Sequence, residues 1–357
     1  MLKKTIKINI LTAAALIILT ALSYSQAREN YNNYGDECTI MGAAGYSCKG
    51  GGTIVLKNRD RNIRFNQQFC YEKPDTGYAF IGVKNIGGPK LAYTMGINEK
   101  GLICVNSSSP KKVNFDYGKA NVYMYQAGQV LNKVSTVDEF IEKILKAGAA
   151  KGPGNYIVAD GKKMCLAEVI DGTHFDYKII INGFCAHTNH YYFDSMKKYQ
   201  PLPLNASSEM RLDRACELGH SGIKPITVEK FMAFSRDHGK NETPSDKTIC
   251  RHPDMFYDSK KFDGGTISSM IFTMKPGAKP CAYLCLGQPC TGEFVKFEFE
   301  TDGTLTFNGI FDEFLKDGSY NNFKNFERDF YWHIIMPFFY KNPLLKSKDY
   351  NFSESET

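Results

Sequence analysis

Short apolar or alternating runs dominate the hydrophobic pattern of this chain, and glycine-containing turns separate many of them. Apolar residues at every second position place one face of a strand against a core. Asn-Glu-Lys-Gly and Asp-Gly turns between such runs favour antiparallel hairpins. We therefore predict strands within 51–60, 77–85, 90–97, 100–109, 154–171, 175–188, 264–274, 279–290 and 293–311.

Helical patterns are fewer and form a central block between the earlier and later strands. The predicted helices span 120–134, 136–147, 207–219 and 227–238. Thr136 and Glu139 have the spacing of a capping box, which marks the start of a helix. Because no Pro/Gly/Ser-rich linker or internal repeat divides the chain, we predict a single α+β domain with its sheets packed between helical layers. The polar segment 341–357 is expected to be loosely ordered.

The N-terminus has the three-part pattern of a secretory signal peptide. Lysines precede an apolar stretch over 10–22, and Ser25 and Ala27 form a small-x-small cleavage site. We therefore expect removal of residues 1–27 and a secreted or periplasmic protein, without stable membrane insertion after processing. An uncleaved anchor is the alternative, but the stretch is short for a membrane span and threonines interrupt it.

The charge balance argues against one class of partner. Of the 357 residues, 44 are basic and 38 are acidic, which gives a formal net charge of +6. These charges are spread along the chain, without the block of like charges that is typical of a nucleic-acid-binding tail. We therefore expect no nucleic-acid partner.

The eleven cysteines allow two interpretations. In an exported chain they would form disulfides, and the odd count would leave at least one thiol unpaired. In a reducing niche they would be small, buried, apolar residues. Their spacings do not form paired C-x-x-C sets, so the sequence does not favour a zinc site, and we expect neither a metal nor a cofactor.

Cys38 lies within the stretch DECTIMGAAG, close to the expected processed end. A cysteine attacks as its thiolate, so it needs a nearby base or a positive environment. No histidine in the sequence has a recognisable catalytic signature. Cleavage of the bond between Glu37 and Cys38 would create an α-amino group, with a pKa of about 8, within one residue of the thiol. The cysteine would then supply its own base.

A series of stretches, all in the same order, resembles the cysteine-type N-terminal-nucleophile (Ntn) amide hydrolases. This group includes penicillin V acylases, bile-salt hydrolases, acid ceramidases and the autoproteolytic acyl-CoA:6-aminopenicillanic acid acyltransferases. HTNHY and ICRHPD are most similar to the acyltransferase branch. The stretches are ECTIMGAAG…GGTIVLKNRD, GINEKGLICVNSS, GPGNYIVAD, AHTNHY, SSEMRLDRACELG, DHGKNETPSDKTICRHPD, GGTISSMIFTM and LGQPC, and they cover nearly all of the chain beyond Asp36.

The resemblance implies an αββα sandwich over residues 38–340, preceded by a propeptide over 28–37. The mature N-terminal cysteine would lie at the end of a central strand. Cys38 would be the nucleophile in both self-cleavage and turnover. Asp60 would accept a hydrogen bond from the free α-amino group and hold that group against the thiol.

Three further residues match positions of the family's polar network. Asn189 would donate its side-chain amide to the oxyanion, where a neutral donor suits a developing charge. Asn106 is the second oxyanion candidate, through a backbone N–H of its loop. Arg211 would complete the network around Asp60, with Arg214 as the alternative.

The sequence departs from the bile-salt branch just before Asp60. That branch carries arginine three residues before the aspartate, whereas this chain has Lys57, with Arg59 nearby. Strand alternation places Lys57 and Arg59 on one face, and Asn58 and Asp60 on the other. Both pairs would reach one site only through a bend or bulge, so we assign no thiolate-stabilising role to Lys57.

Two pairs of motif residues stay outside the expected chemistry. His187 and His190 flank Asn189 at a spacing that could bind a metal, but two ligands without a carboxylate make a poor site, and structural histidines are favoured. Arg251 and His252 match a family motif, and the sequence assigns them no mechanistic role.

The sequence therefore predicts an exported, autoprocessing enzyme that cleaves a linear, non-peptide C–N bond of a small-molecule amide. The acyl group would pass to Cys38 as a thioester and then to water or to an acceptor amine. A dipeptidase of the same superfamily and a non-enzymatic, secreted, disulfide-stapled binding protein are the alternatives. The acyl group, the amine and the oligomeric state, including a homo-oligomer, are left open.

Overall fold

The computed structural model describes residues 37–62, 67–85, 91–110, 127–150, 153–221, 225–252, 264–308 and 319–320. They belong to one compact unit that begins at Glu37. The expected signal peptide, residues 28–36 of the propeptide, the first part of the helix predicted over 120–134 and the polar tail lie outside the described residues. Within the described ranges, no helix is long and apolar enough to cross a membrane.

Within the described residues, fifteen strands form two antiparallel sheets. The strands are β1 (Glu37–Ala44), β2 (Thr53–Asn62), β3 (Gln67–Glu72), β4 (Phe80–Asn85), β5 (Tyr93–Asn98), β6 (Ile103–Ser107), β7 (Gly154–Ala159), β8 (Met164–Val169), β9 (Phe175–Ile180), β10 (Gly183–His187), β11 (Gly264–Met274), β12 (Cys281–Leu286), β13 (Val295–Phe299), β14 (Leu305–Asn308) and β15 (Ser319–Tyr320). The first sheet has the order β10-β1-β2-β11-β12-β13-β14, and the second has the order β15-β3-β4-β5-β6-β7-β8-β9.

The helices agree with the predicted block, with shifted ends. They are α1 (Ala127–Lys133), α2 (Val137–Phe140, continued as a π-helix over Ile141–Lys146), α3 (Ala206–Ser221) and α4 (Val228–Ser235), with single 3-10 turns at Gly45–Ser47 and Lys197–Tyr199. The predicted cap is confirmed, since Thr136 Oγ1 accepts the N–H of Glu139 at 3.1 Å. The Glu139 carboxylate in turn accepts the N–H of Ser135 at 2.7 Å.

Strand alternation separates three apolar cores. Val55 packs with Val105 of the second sheet in the core between the sheets. Its neighbours Ile54 and Leu56 point the other way and pack under α3 and α4. A third core, which includes Leu131, lies between the second sheet and the helices α1 and α2. The layers are therefore helix, sheet, sheet, helix, and the predicted αββα sandwich is confirmed.

All eleven cysteines lie within the described residues, where no disulfide joins them, and eight of them are buried. Burial raises the pKa of Cys104 to about 12, because the apolar surroundings disfavour its thiolate. Cys165, close to Cys104, likewise has its pKa raised by burial to about 12. The structure therefore corresponds to the buried-thiol interpretation of the cysteines.

Candidate active site

The pairing of β1 with β2 determines which side chains surround the predicted nucleophile. Cys38 lies directly opposite Arg59, and Glu37 lies opposite Asp60. Directly paired residues of antiparallel strands share a face of the sheet. Cys38 and Arg59 therefore face the second sheet, whereas Glu37 and Asp60 face the layer of α3 and α4.

Polar contacts agree with this assignment of faces. Lys57 Nζ donates to the backbone oxygen of Thr94 at 3.1 Å, in the second sheet. Asn58 Nδ2 donates on the helix side, to the backbone oxygens of Ser235 at 2.8 Å and Ile249 at 2.9 Å. The predicted alternation along β2 is therefore confirmed.

A register irregularity near Asp60 lies in the neighbouring strand β11 and not in β2. The register of β11 against β2 shifts between Thr266 and Ser268, so that Thr266 pairs with Asp60 and Ser268 pairs with Arg59. Such a bulge bends its strand and redirects the adjacent side chains. Thr266 thereby lies against Asp60, and β2 itself keeps its alternation.

Both backbone groups of Cys38 are bound by side chains from distant elements. Its N–H donates to Asn189 Oδ1 at 3.0 Å, and its carbonyl oxygen accepts Arg211 Nη1 at 2.9 Å. Asn189 follows the end of β10, and Arg211 lies on α3. The predicted residues Cys38, Asn189 and Arg211 therefore meet at the start of β1.

The hydrogen-bond network fixes the orientation of the Asn189 amide. Its Oδ1 accepts Arg211 Nη2 at 3.0 Å, and its Nδ2 donates to the backbone oxygen and to Oγ of Ser108 at 2.9 and 3.0 Å. A guanidinium only donates and a backbone carbonyl only accepts, so the reverse orientation is excluded. With Glu37 still joined to Cys38, Asn189 presents an acceptor to the Cys38 nitrogen, and its role as oxyanion donor stays a prediction.

Asp60 is fully buried and only partly satisfied. Its Oδ1 accepts Thr266 Oγ1 at 2.7 Å, whereas its Oδ2 has no hydrogen-bond partner within the described residues. Oδ2 lies 3.8 Å from Arg211 Nη1 and 3.9 Å from Arg251 Nη1. Burial raises the pKa of Asp60 to about 6; the two arginines lower it, and the carboxylate of Glu37 adds to the increase.

Glu37, the last residue of the expected propeptide, engages the same two arginines. Its Oε2 lies 2.8 Å from Arg251 Nη1 and 3.3 Å from Arg211 Nη2. Asn205 Nδ2 donates to its Oε1 at 3.1 Å. Burial raises the pKa of Glu37, but Arg251 and Arg211 outweigh this effect and hold the pKa below its ordinary value. The carboxylate is therefore held as an anion beside Asp60.

Lys57, Arg59 and Asn106 occupy the opposite side of the first sheet. Lys57 Nζ donates to Asn106 Oδ1 at 2.9 Å, and Arg59 Nη1 donates to Gln67 Oε1 at 3.1 Å. Arg59 lies directly opposite Cys38, whereas Lys57 lies opposite Ile40. The oxyanion role of Asn106 stays a prediction.

The histidines that flank Asn189 are held by protein partners. His187 Nε2 lies 2.8 Å from Glu168 Oε1, and His190 Nδ1 lies 2.8 Å from Ser208 Oγ. Burial lowers the pKa of His190 to about 4, which keeps its ring neutral. These contacts are those of structural histidines, as the sequence favoured.

Sequence reasoning missed the function of three residues around Asp60 and Asn189. Arg251, noted only as part of a motif, contacts both carboxylates of the site. Thr266 and Ser108 position Asp60 and Asn189, respectively. They belong to recognised motifs, and nothing in the local spacing indicates their partners. Arg214, the alternative to Arg211, instead donates to Asp237 at 2.6 Å.

A second polar cluster, outside the expected site, contains four metal-ligating side chains. His238, Cys250, His252 and Cys290 place one ligand atom each within 4.8 Å of one another. The sequence did not favour a zinc site because these residues come from separate segments and do not form C-x-x-C pairs.

Comparison with protein-family models gives a match over residues 47–290, to the family described as acyl-coenzyme A:6-aminopenicillanic acid acyl-transferase. The predicted family resemblance is thereby confirmed. A search of curated proteins gives no match.

Similar solved structures include three proteins of low sequence identity. A mutant of conjugated bile acid hydrolase from Clostridium perfringens is 13% identical, with a TM-score of 0.45, and 76% of this chain and 97% of that one are covered. Penicillin V acylase from Agrobacterium tumefaciens is 16% identical, with a TM-score of 0.44 and coverage of 70% and 83%. The Caenorhabditis elegans ortholog of N-acylethanolamine-hydrolyzing acid amidase is 12% identical, with a TM-score of 0.42 and coverage of 66% and 92%.

Proposed function

Because the chain belongs to the acyl-coenzyme A:6-aminopenicillanic acid acyl-transferase family, we propose that it is an autoprocessing amide hydrolase or acyltransferase whose nucleophile is the Cys38 thiol. The observation that carries the proposal is the pair of contacts on the Cys38 backbone. Asn189 holds its nitrogen at 3.0 Å and Arg211 holds its carbonyl oxygen at 2.9 Å. Both groups lie beyond the last pair of β1 with β10, Ile40 with His187, so they need partners other than a strand, and two residues of the recognised motifs supply them.

Self-cleavage would begin with attack of Cys38 Sγ on the carbonyl carbon of Glu37. The C–N bond breaks as the acyl group moves from nitrogen to sulfur, and the thiol proton passes to the departing nitrogen. Water then hydrolyses the thioester. This step releases the propeptide with a new C-terminal α-carboxylate on Glu37 and regenerates the thiol. The product has a free α-amino group on Cys38, adjacent to Sγ.

Asp60 supports this proposal as a buried acceptor that lacks a second donor. An unpartnered buried carboxylate oxygen is rare and needs an explanation, and a donor that appears only after cleavage would provide one. Arg211 links the two groups, since its Nη1 lies 2.9 Å from the Cys38 oxygen and 3.8 Å from Asp60 Oδ2. A new α-amino group would supply the missing donor to Oδ2.

Loss of Glu37 would also change the electrostatics of the site. Glu37 raises the pKa of Asp60, so its departure favours ionised Asp60. Among the described contacts, Asp60 would then be the one carboxylate that remains beside Arg211 and Arg251. Cleavage would therefore replace a network of two carboxylates and two arginines by one in which Asp60 alone faces the arginines and orients the new amino group.

Turnover would use this amino group as base and acid in succession. It accepts the proton of Sγ as the thiol attacks the substrate carbonyl, and it returns that proton to the leaving amine. The resulting thioester passes its acyl group to water or to an acceptor amine. For an exported enzyme water is the more economical acceptor, because acyl-CoA is not expected outside the cell.

Intact mass of the purified full chain tests the maturation step. The proposal requires a product that begins at Cys38, and it requires that Cys38→Ala keep residues 28–37 after removal of the expected signal peptide. Cys216→Ser, a half-buried thiol on α3, is the matched control and should mature normally. Equal trimming of Cys38→Ala would show that another protease removes the segment.

The reaction class is tested by incubating mature protein with penicillin V, conjugated bile salts, N-acyl homoserine lactones and β-alanyl amines, and in parallel with dipeptides. We expect amine release from at least one class and a Cys38 thioester trapped by mass spectrometry. Release of amino acids from dipeptides alone would favour the dipeptidase alternative. A mature chain that cleaves none of these amides and traps no thioester would contradict the proposed activity.

A further inference from the structure

The second cluster converges on one nitrogen atom, His252 Nε2. His238 Nε2 lies 3.0 Å from it, Cys290 Sγ lies 3.4 Å from it, and Cys250 Sγ lies 3.6 Å from it. An imidazole nitrogen carries either one hydrogen or one lone pair, so it satisfies one such neighbour and not three. A single cation among the four atoms would satisfy all of them.

These distances agree with a tetrahedral metal centre. Zinc binds imidazole nitrogen at about 2.0–2.1 Å and thiolate sulfur at about 2.3 Å, which in a tetrahedron separates two nitrogens by about 3.3 Å and nitrogen from sulfur by about 3.6 Å. The three separations measured from His252 Nε2, 3.0, 3.4 and 3.6 Å, lie close to those values, and all four ligand atoms lie within 4.8 Å of one another.

Ligand chemistry and charge select zinc. Two thiolates and two neutral imidazoles form one of the usual ligand sets of structural zinc. Two thiolates balance the charge of Zn²⁺, so the complex is neutral, which suits the buried side chains of Cys250 and His252. Both thiols release their protons when the metal binds.

The ligands join two separate loops beside the candidate active site. His238, Cys250 and His252 come from the segment after α4, and Cys290 comes from the turn after β12. His238 also lines a pocket of about 490 Å³.

Arg251 lies between two of the ligands and connects the cluster to Asp60. Its N–H donates to Thr266 Oγ1 at 2.9 Å, and Thr266 Oγ1 donates to Asp60 Oδ1 at 2.7 Å. Its carbonyl oxygen accepts the N–H of Thr266 at 3.0 Å. A metal that fixes Cys250 and His252 would therefore fix the guanidinium that faces Glu37 and Asp60.

We propose that His238, Cys250, His252 and Cys290 bind one Zn²⁺ as a closed structural site that holds Arg251, a positioning residue, against the strand that carries Asp60. Four protein ligands leave no position for substrate, so the ion acts through the architecture of the site and not on the reacting bond.

Metal analysis of the full chain, purified without a polyhistidine tag and dialysed against metal-free buffer, tests this proposal. We expect about one zinc ion per chain, and its loss from Cys290→Ser and from His238→Asn. Cys216→Ser and His220→Asn, on α3 and outside the cluster, are the matched controls and should keep the zinc. Zinc-free wild-type protein, with Cys250 and Cys290 either joined as a disulfide or present as free thiols, would overturn the proposal.

Cobalt titration of chelator-treated wild-type protein avoids dependence on the folding of variants. One equivalent of Co²⁺ should produce thiolate-to-metal charge-transfer absorption and the intense visible bands of a tetrahedral centre, and should restore the unfolding temperature lost on chelation. Absence of these bands, or identical spectra from Cys290→Ser, would refute ligation by this set. The metal readouts do not depend on whether Cys38 is a nucleophile.

Discussion

Glu168 and Asp60 are two buried carboxylates, one in each sheet, and they differ in how many hydrogen bonds they accept. Both are inaccessible to solvent. Glu168, on β8, accepts His187 Nε2 at 2.8 Å and backbone N–H groups of the segment after β10, the nearest at 2.7 Å. Asp60, on β2, accepts one hydroxyl, and its Oδ2 has no hydrogen-bond partner within the described residues.

The difference agrees with a structural role for Glu168 and with the functional role that we propose for Asp60. Glu168 fixes the segment that carries Asn189, and its hydrogen bonds offset the cost of its burial. The raised pKa of Asp60, caused mainly by burial, shows that its charge is held at a cost. In the proposed mechanism, the α-amino group released by self-cleavage would supply the missing donor and offset this cost.

The largest expected contrast is in turnover. Asp60→Asn should lower kcat/KM of the mature enzyme by roughly 100- to 10,000-fold, because the base loses the carboxylate that orients it. Glu168→Gln should keep kcat/KM within about tenfold of wild type, since it acts only through the loop. Steady-state kinetics on any cleaved amide measures both. Wild-type activity in Asp60→Asn would remove Asp60 from the mechanism.

Stability should show the opposite order. Glu168→Gln should lower the free energy of unfolding by about 3 kcal/mol, because charge-assisted hydrogen bonds are lost and buried donors are left unsatisfied. Asp60→Asn should cause no loss at neutral pH, since the amide avoids the cost of a buried anion. Urea unfolding of both variants in a Cys38→Ala background keeps the processing state constant. A destabilised Asp60→Asn chain with an unaffected Glu168→Gln chain would reverse the assignment.

The pH dependence of stability should identify Asp60 by its sign. Its folded pKa of about 6 lies above the ordinary value near 3.9, so the folded chain holds this proton more tightly than the unfolded chain. The contribution of Asp60 is therefore present below about pH 4 and is lost as the pH rises to about 6, a change of about 2 kcal/mol.

Asp60→Asn provides the reference for this measurement. Glu37, with its lowered pKa, acts in the opposite direction and is present in both chains. The Cys38→Ala parent should therefore lose stability relative to its Asp60→Asn derivative between about pH 4 and pH 7. A difference that does not change with pH would show that Asp60 titrates normally.

Local patterns predicted most of the elements but not β1 or β3, and long-range contacts determined the site. The Thr136 cap and the alternation along β2 depend on neighbours in sequence, so both were predictable. Thr266 meets Asp60 across 206 positions, and Asn189 meets Cys38 across 151. Family motifs identified Asn189 without indicating which of its amide atoms faces Cys38. That orientation follows from Arg211 and Ser108, which no spacing rule connects.

The contacts of the segment around Arg251 are even less predictable from local sequence patterns. Its neighbours Cys250 and His252 meet Cys290, from the turn after β12, only because β11 and β12 bring that turn beside them. Metal-site motifs depend on short spacings within one segment. Four ligands that come from two separate loops do not produce such a spacing in the sequence. They can be recognised as a set only in the folded structure.

The smallest expected effect concerns Glu37, which faces Asp60 across β1 and β2. Glu37→Gln keeps the length of the side chain and an acceptor for Arg251, but it removes the negative charge that raises the pKa of Asp60. Without that charge the pKa of Asp60 falls. If ionised Asp60 assists self-cleavage, the acidic limb of the pH–rate profile for self-cleavage should therefore move to lower pH, by less than about one unit. Time courses of the chain that begins at Cys38, followed by mass spectrometry across pH, measure this shift.

The matured enzyme lacks residue 37, so its turnover profile should equal that of wild type and serves as an internal control. A self-cleavage profile that does not move, or that moves to higher pH, would mean that ionisation of Asp60 does not limit maturation, and its unpartnered oxygen would then matter only after the amino group is free.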